Sequence, residues 1–268
     1  MTMSSVSLGW GAASDDVGVS AYDIYRNGGT TPTATVGPGM LAWIDASVTP
    51  GSAYSYTVRA RDAAGNTSPL SGSVSTTVPS NSPPLLATGF ESGTLTGWTN
   101  VGVVIDSATV HGGSYAARAV STGGATWAWS YLSSPASDVY VRAWVRLAAS
   151  PSRTTTILKL RTATGGSLLG ILVTSRGRLS YRNDVAGRTV NSTITMSAGA
   201  WHELVVHLTT TGTSSVIAVW LDGSPVAGLT GTDNFGTSPI GRVQIGENQT
   251  SRPIDASFDD LTVQSQPF

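Results

Sequence analysis

The ten residues Asp138-Val139-Tyr140-Val141-Arg142-Ala143-Trp144-Val145-Arg146-Leu147 decide how this chain is read. Successive side chains of an extended strand point to opposite faces. Val139, Val141, Ala143, Val145 and Leu147 therefore share one face, and it is a core face. Tyr140, Arg142, Trp144 and Arg146 share the other. Aromatic and cationic side chains are poor core material and reasonable material for a binding surface. The stretch predicts a half-buried strand with a chemically distinctive outer side.

The composition agrees with that strand. A chain of 268 residues is comfortable for two domains. Hydrophobic residues make up 40%, enough for cores, and charged residues only 12%, about half the usual share. Gly, Ser and Thr fill the gap, which favours many short strands and turns. A net charge of −1 gives nucleic acid no bulk electrostatic attraction. Absence of cysteine excludes a disulfide framework and thiolate metal sites. Lys159 is the only lysine against fourteen arginines, which reads as coding bias rather than chemistry. No apolar run is long enough to span a membrane, so no membrane insertion is expected. The start, Met1-Thr-Met-Ser-Ser5, has neither the basic nor the apolar region of a signal peptide.

Residues 1–79 alternate in short runs. Val6, Leu8 and Trp10 share a face, as do Tyr22, Ile24 and Arg26, and Asn27-Gly28-Gly29 signals a turn. Three strings resemble a fibronectin type III domain: Tyr22-Asp-Ile-Tyr-Arg-Asn-Gly28, Thr49-Pro-Gly-Ser-Ala-Tyr54-Ser-Tyr56-Thr-Val58-Arg-Ala60 and Asp62-Ala-Ala-Gly-Asn-Thr-Ser68. The resemblance implies that Trp10 is a core tryptophan and that the Tyr54 hydroxyl ties back to the preceding loop as a tyrosine corner. It also implies one more strand before Val6, for which only five residues remain. A spacer role is expected, because no exposed motif stands out and fold alone carries no function.

A Pro-rich linker at 80–86 leads to residues 87–268, a length suited to a two-sheet jelly roll. Gly89-Phe-Glu91-Ser-Gly93-Thr-Leu-Thr-Gly-Trp98 opens this part, Gly199-Ala-Trp201-His-Glu-Leu-Val-Val-His-Leu208 leads to Val219-Trp-Leu-Asp222-Gly223, and Phe258-Asp259-Asp260-Leu-Thr-Val263 closes it. In this order and spacing the strings are similar to the concanavalin A-like lectin/glucanase superfamily in its laminin-G-like form. The fold class expected is all-β: a fibronectin type III sandwich plus a larger concanavalin A-like jelly-roll sandwich.

Two candidate sites follow. Glu91 stands in the first string, and Asp259 and Asp260 in the last. First and last strands of a jelly roll often lie side by side, and three clustered carboxylates repel unless a hard cation neutralises them. The resemblance implies a structural Ca2+ there; the alternative is that Glu91 takes backbone hydrogen bonds and the aspartates are solvated or paired with Arg. The second site is the face of Tyr140, Arg142, Trp144 and Arg146. Alternation on the next strand in sequence adds Lys159 and Arg161, and a later strand adds Trp220. Sugars stack on aromatic rings and hydrogen-bond to planar polar groups, and the arginine fork also suits a carboxylated or sulfated sugar. Alternatively arginine stems cover the rings, or a long loop does. Trp127, Trp129 and Tyr131 read as inter-sheet core on the general preference for burying large aromatics. His111, His202 and His207 read as structural or solvated.

Enzyme chemistry finds little support. Only three glutamates occur, Glu91, Glu203 and Glu247, and no closely spaced pair of carboxylates suggests glycoside hydrolysis. No Gly-x-Ser-x-Gly nucleophile turn is present. The chain therefore reads as a non-catalytic accessory region of an exported bacterial protein, extracellular or at the cell surface and part of a larger polypeptide. It is expected to bind a glycan or a cell-surface ligand, or else to act as an adhesive module on protein surfaces.

Overall fold

The computed structural model describes residues 5–78 and 83–268. The chain forms two compact units that divide between Ser82 and Pro83. Residues 79–82, which include the first three of the expected linker, and the first four of the chain lie outside the described residues.

The first unit contains β1 (Val6–Gly9), β2 (Val19–Arg26), β3 (Ala34–Val36), β4 (Ala42–Asp45), β5 (Ala53–Asp62) and β6 (Val74–Thr77). β1 pairs with β4 in one sheet, and β3-β2-β5-β6 form the other, all antiparallel. Val6, Ile24, Val48, Tyr56 and Val78 fill the space between them, with Trp10 packed at the edge of that core. The Tyr54 hydroxyl accepts the Thr49 N–H at 2.8 Å and ties the turn before β5 to the strand.

Asp45 is buried against this core. Its carboxylate accepts the Ser47 N–H at 2.9 Å, the Ser47 hydroxyl at 2.7 Å, the Tyr56 hydroxyl at 2.9 Å and Arg26 Nη1 at 2.9 Å. Burial pushes the Asp45 carboxyl up, but the hydrogen bonds from Ser47, Tyr56 and Arg26 outweigh it and leave the group below its ordinary value. Burial raises the Tyr56 phenol, and the hydrogen bond to Asp45 and then the Asp45 charge raise it further.

The second unit holds sixteen strands: β7 (Leu86–Thr88), β8 (Thr99–Val101), β9 (Val103–Asp106), β10 (Ala116–Ser121), β11 (Thr126–Ala136), β12 (Asp138–Leu147), β13 (Thr155–Thr162), β14 (Ser167–Val173), β15 (Arg178–Asn183), β16 (Arg188–Thr195), β17 (Trp201–Thr209), β18 (Ser215–Leu221), β19 (Ser224–Pro225), β20 (Gly231–Asp233), β21 (Ile240–Glu247) and β22 (Ile254–Gln264). Leu85 and Leu86, placed in the linker by the sequence, already belong here: the Leu85 N–H bonds Val263 O and β7 pairs with β22.

Two antiparallel sheets face each other. One has nine strands, β19-β18-β17-β12-β22-β10-β9, with β20 on β18 and β7 on β22; the other has seven, β16-β15-β14-β13-β21-β11-β8. Val139, Val141, Ala143, Val145 and Leu147 are all buried in the shared core, as their alternation requires, together with Leu160, Ile171, Val243, Ile245 and Phe258. The jelly-roll expectation holds. Arg188–Thr195, which the sequence reading passed over, is the edge strand of the seven-stranded sheet.

One connection changes the map of the outer surfaces. The seven residues 148–154 separate β12 from β13 and include Pro151. That is too long for a tight hairpin and long enough to cross the ~10 Å between facing sheets. β13 therefore lies in the other sheet, and the neighbours of β12 are β17 and β22.

Removing Asp45 should destabilise the first unit. Asp45→Ala is expected to cost about 3 kcal/mol, because it leaves Arg26 and Tyr56 without their shared acceptor, and to leave the transition of the second unit in place. The folded carboxyl sits below the unfolded value of about 3.9, so its contribution is complete above that pH and lost as pH falls through the folded value. Thermal melts of wild type and Asp45→Asn between pH 7 and pH 2 should converge at the acid end; a constant gap would show that Asp45 contributes no charge-dependent stability.

Candidate functional site

The predicted site residues occupy two different surfaces. Tyr140, Arg142, Trp144 and Arg146 lie on the outer face of the nine-stranded sheet, and Trp220 joins them through the register Arg142↔Val205↔Trp220. Lys159 and Arg161 do not. They lie on the outer face of the seven-stranded sheet, because the 148–154 connection carries β13 across the sandwich.

The nine-stranded face is occupied from within. The His111 ring stacks on Trp144 at 3.7 Å and meets Trp201 edge-on at 5.7 Å. The His207 ring stacks on Tyr140 at 4.0 Å and its Nε2 lies 2.9 Å from Asp138. The Arg142 guanidinium rests over the Phe268 ring at 4.4 Å, and Arg146 Nε donates to Gly199 O at 3.2 Å. Each of the four β12 side chains thus has a partner of this chain, the arrangement in which a loop and stacked side chains cover the rings.

The three acidic residues hold that cover down. Asp259 and Asp260 sit where β22 carries one extra residue opposite β12, a bulge in which Asp260 takes a left-handed backbone conformation with φ 46°. Asp259 accepts the His111 and Gly112 N–H groups at 2.9 and 3.2 Å, and Asp260 meets His111 Nδ1 at 2.8 Å. Glu91 accepts the Ser114 and Tyr115 N–H groups at 2.8 and 3.2 Å. The carboxylates do converge on one loop, as the sequence predicts. Among the described residues, however, no three acidic or histidine side chains are spaced to enclose a metal ion. Burial raises the Asp259 carboxyl, opposed by hydrogen bonds from the 111–112 backbone and increased by the neighbouring Asp260 charge.

The histidines are all tied to aspartates; His202 bridges Asp222 at 2.7 Å and the Ser197 hydroxyl at 2.8 Å. That chain of bonds has the polarity of a hydrolytic triad. Asp222 also holds the Glu203 N–H at 2.9 Å, and neither Ser197 nor His202 lines any of the clefts described below, so the network serves as a clamp between the β16–β17 and β18–β19 turns.

The outer face of the seven-stranded sheet is different. Here Trp127, Trp129 and Tyr131 of β11 point away from the core, with Ala128 and Leu132 pointing in; the sequence reading of these three as inter-sheet core is corrected. Register carries one row across six strands: Trp129↔Gln244↔Lys159↔Gly170↔Arg182↔Thr189. A second row is Tyr131↔Arg242↔Arg161. At about 4.8 Å per strand the first row is about 24 Å long. Gly170 matters in it. A β-carbon at that position would stand 3.4 Å from Lys159 Cε, so the lysine stem passes directly beside the glycine on the floor.

Two clefts open on this floor. One, of about 290 Å³, is lined by Trp127, Trp129, Arg161, Arg242, Gln244 and Asn248. The other, of about 480 Å³, runs past Lys159, Ser180, Arg182, Asp184, Asn191, Gln249 and Arg252. In the first, Arg242 lies over both Trp129 (4.1 Å) and Tyr131 (4.5 Å), while Arg161 Nε donates to Gln244 Oε1 at 2.9 Å and its Nη1 to Gly165 O at 2.9 Å. Burial pushes the Arg161 guanidinium down, Asp184 opposes this, and the Arg242 charge adds to it. In the second, Asp184 meets Lys159 at 3.5 Å and Arg182 at 3.3 Å and accepts the Ser167 hydroxyl. Three buried polar atoms at these clefts have no hydrogen-bond partner: Arg242 Nε, Asn248 Oδ1 and Ser180 Oγ.

Glu247, which the sequence reading noted only as one of three glutamates, positions the rim. It is fully buried at the end of β21 and accepts the Thr156 and Gln249 N–H groups, both at 2.8 Å, with Arg252 Nη1 3.5 Å away. This fixes the β21–β22 loop that carries Asn248, Gln249 and Arg252 to the rim of the groove.

This architecture is a lectin-type sandwich with a floored groove on one sheet. A family model described as the concanavalin A-like lectin/glucanases superfamily matches residues 121–268, and the chain belongs to that superfamily. Among solved structures, the cellulose induced protein Cip1 is similar at 27% identity and TM-score 0.56, over 67% of this chain and 97% of that one. A sialidase shares the fold alone, at 11% identity and TM-score 0.52, over 79% of this chain and 21% of the other. Chitinase C of Streptomyces lividans is 46% identical over 77 residues, which is 29% of this chain and 12% of that protein. Exoglucanase B of Cellulomonas fimi is 38% identical over 121 residues, 42% of this chain and 11% of that protein. The chain thus spans only about a tenth of these curated relatives.

Glu247→Gln tests the rim. The amide NH2 opposes one of the two N–H donors that the carboxylate accepts, a loss of about 2 kcal/mol. For a unit of this size the melting temperature should fall by about 4–8 °C, and hydrogen exchange should quicken at Thr156 and Gln249. Unchanged exchange there would show that the loop is held by other contacts.

Proposed function

We propose that this chain is a non-catalytic accessory region that holds a glycan in the groove on the seven-stranded sheet. The observation that carries this reading is the row from Trp129 to Thr189, with a half-buried indole, planar amide and guanidinium groups, and partnerless polar atoms in the clefts beside it. Sugars offer apolar ring faces and many hydroxyls, and this floor offers matching surfaces for both. Partial matches to a chitinase and an exoglucanase support a place beside polysaccharides. The residues lining the two clefts include one carboxylate, Asp184, already paired with Lys159 and Arg182. Glycoside hydrolysis uses two across a cleft. The region would then serve outside the cell, where such polymers are, as one part of a larger polypeptide; no helix among the described residues is long and apolar enough to cross a membrane.

The first unit is proposed as a fibronectin type III spacer. Its two-plus-four-strand arrangement and the Thr49–Tyr54 tie support this, as does the 77-residue length of the chitinase match, close to that of the unit. Calcium bound near Glu91, Asp259 and Asp260 is a further proposal. It is supported by a fully buried Asp259 whose carboxyl is raised by burial next to a second carboxylate, a condition that a hard cation relieves.

Binding should follow the groove and not β12. In isothermal titration against a polysaccharide panel, Trp129→Ala is expected to weaken affinity at least tenfold, about 1.4 kcal/mol, while Trp144→Ala leaves it unchanged. The reverse pattern would return the site to the nine-stranded face. For calcium, millimolar Ca2+ should raise the melting temperature of the second unit and a chelator should lower it. Identical midpoints would mean that backbone amides alone hold the three carboxylates.

A further inference from the structure

Resting on the glycan reading of the groove, we infer that its ligand is acidic: a polysaccharide whose rings carry carboxylates, with one carboxylate seated between Arg161 and Arg242. The chain as a whole carries a net charge of −1, yet this one sheet face gathers Lys159, Arg161, Arg182, Arg242 and Arg252, and the only carboxylate lining the two clefts is Asp184. The sharpest feature is the pair Arg161 and Arg242, directly opposed across β13 and β21. Like charges in that position repel. No salt bridge is formed by either arginine among the described residues. Arg161 donates to the Gln244 amide and the Gly165 carbonyl, and Arg242 to the Tyr131 hydroxyl at 2.8 Å and the Ala163 carbonyl at 2.6 Å. All four acceptors are neutral, so no ion pair among the described residues offsets either guanidinium, and Arg242 Nε is buried without a hydrogen-bond partner.

An anion between the two guanidiniums removes the repulsion and supplies the missing acceptor. A carboxylate suits the place, because its two coplanar oxygens match the guanidinium fork. Trp127 and Trp129 wall the same cleft and take the ring that bears the acid. Asn248 Oδ1, an acceptor without a donor, is placed for a hydroxyl of that sugar. Lys159 and Arg182 share Asp184 and extend the positive floor into the second cleft, where the next residue of a polymer would pass. A neutral glucan or chitin chain could use the aromatic walls but would leave the arginine pair as it stands.

The test is titration of the full chain with polygalacturonate and alginate, with carboxyl-reduced polygalacturonate, with chondroitin sulfate, and with neutral cello- and chito-oligosaccharides. Polyuronate binding is expected, weakening steeply with salt and lost on carboxyl reduction. Arg161→Gln should lower that affinity at least tenfold and Arg161→Lys less, while Arg146→Gln on the opposite sheet should have no effect; melting curves show that each variant is folded. Neutral oligosaccharides bound as well as polyuronates, with Arg161→Gln silent and Trp129→Ala damaging, would overturn the acidic assignment and leave the glycan reading standing. Preference for the sulfated polymer over polyuronates would overturn the carboxylate. No binding in any arm would sink both.

Discussion

The central strands of the second unit obey one constraint: one face of each belongs to the core between the two sheets. The valine face of β12 shows it most plainly, since Val139, Val141, Ala143, Val145 and Leu147 are all buried. What differs between the sheets is the fate of the other face. On the nine-stranded sheet the outward aromatics and arginines find partners of this chain, and an acid-pinned loop brings His111 onto Trp144. On the seven-stranded sheet the outward row is also paired within the chain, with Arg242 over Trp129 and Asp184 on Lys159 and Arg182, but two clefts open beside it, and a loop anchored by Glu247 stands at its rim instead of over its floor. Two faces of similar composition thus come to different ends, because one receives a loop and the other is only bordered by one.

The alternation of β12 and the overall architecture were legible in the sequence because both are local. A period of two is written within ten residues, and the turn glycines and asparagines that separate strands are read in place. Pairing order is not local. Arg161 and Trp144 are only seventeen positions apart, yet they lie on opposite outer faces, since the choice between hairpin and sheet crossing rests on the 148–154 loop and on which strands return later from β17 and β22. The edge strand β16 was missed for a related reason. Arg188–Thr195 carries few large apolar residues, and only Ser192 among them is buried, so it has almost no pattern to read.

Trp127, Trp129 and Tyr131 show why size misleads. A run of aromatics alternating with small residues is symmetric on paper: either set fits a core. β11 faces β10 across the sandwich, where Ala117 and Ala119 leave the sheets little room. Ala128 and Ser130 fit that narrow gap and the indoles do not, so the large side chains go outward and become the groove wall. The acidic string was read correctly as a meeting place of first and last strands. What one sequence could not carry was the partner that those carboxylates take, because the N–H groups of residues 111–115 arrive from a loop some 150 positions away from Asp259.

The pairing of β7 with β22 has a mechanical side. Leu86 lies opposite Val263 and Leu261 opposite Thr88, so the first strand of the second unit starts beside the point where its last strand ends. A pulling force that enters through the linker side meets the Leu85 bonds, to Val263 O and from the Ser133 N–H, and then the Leu86–Val263 pair. It peels the short β7 away bond by bond, without shearing a long ladder all at once. Under tension the unit opens from its own seam, while the groove, on the other sheet, lies outside the path of the load.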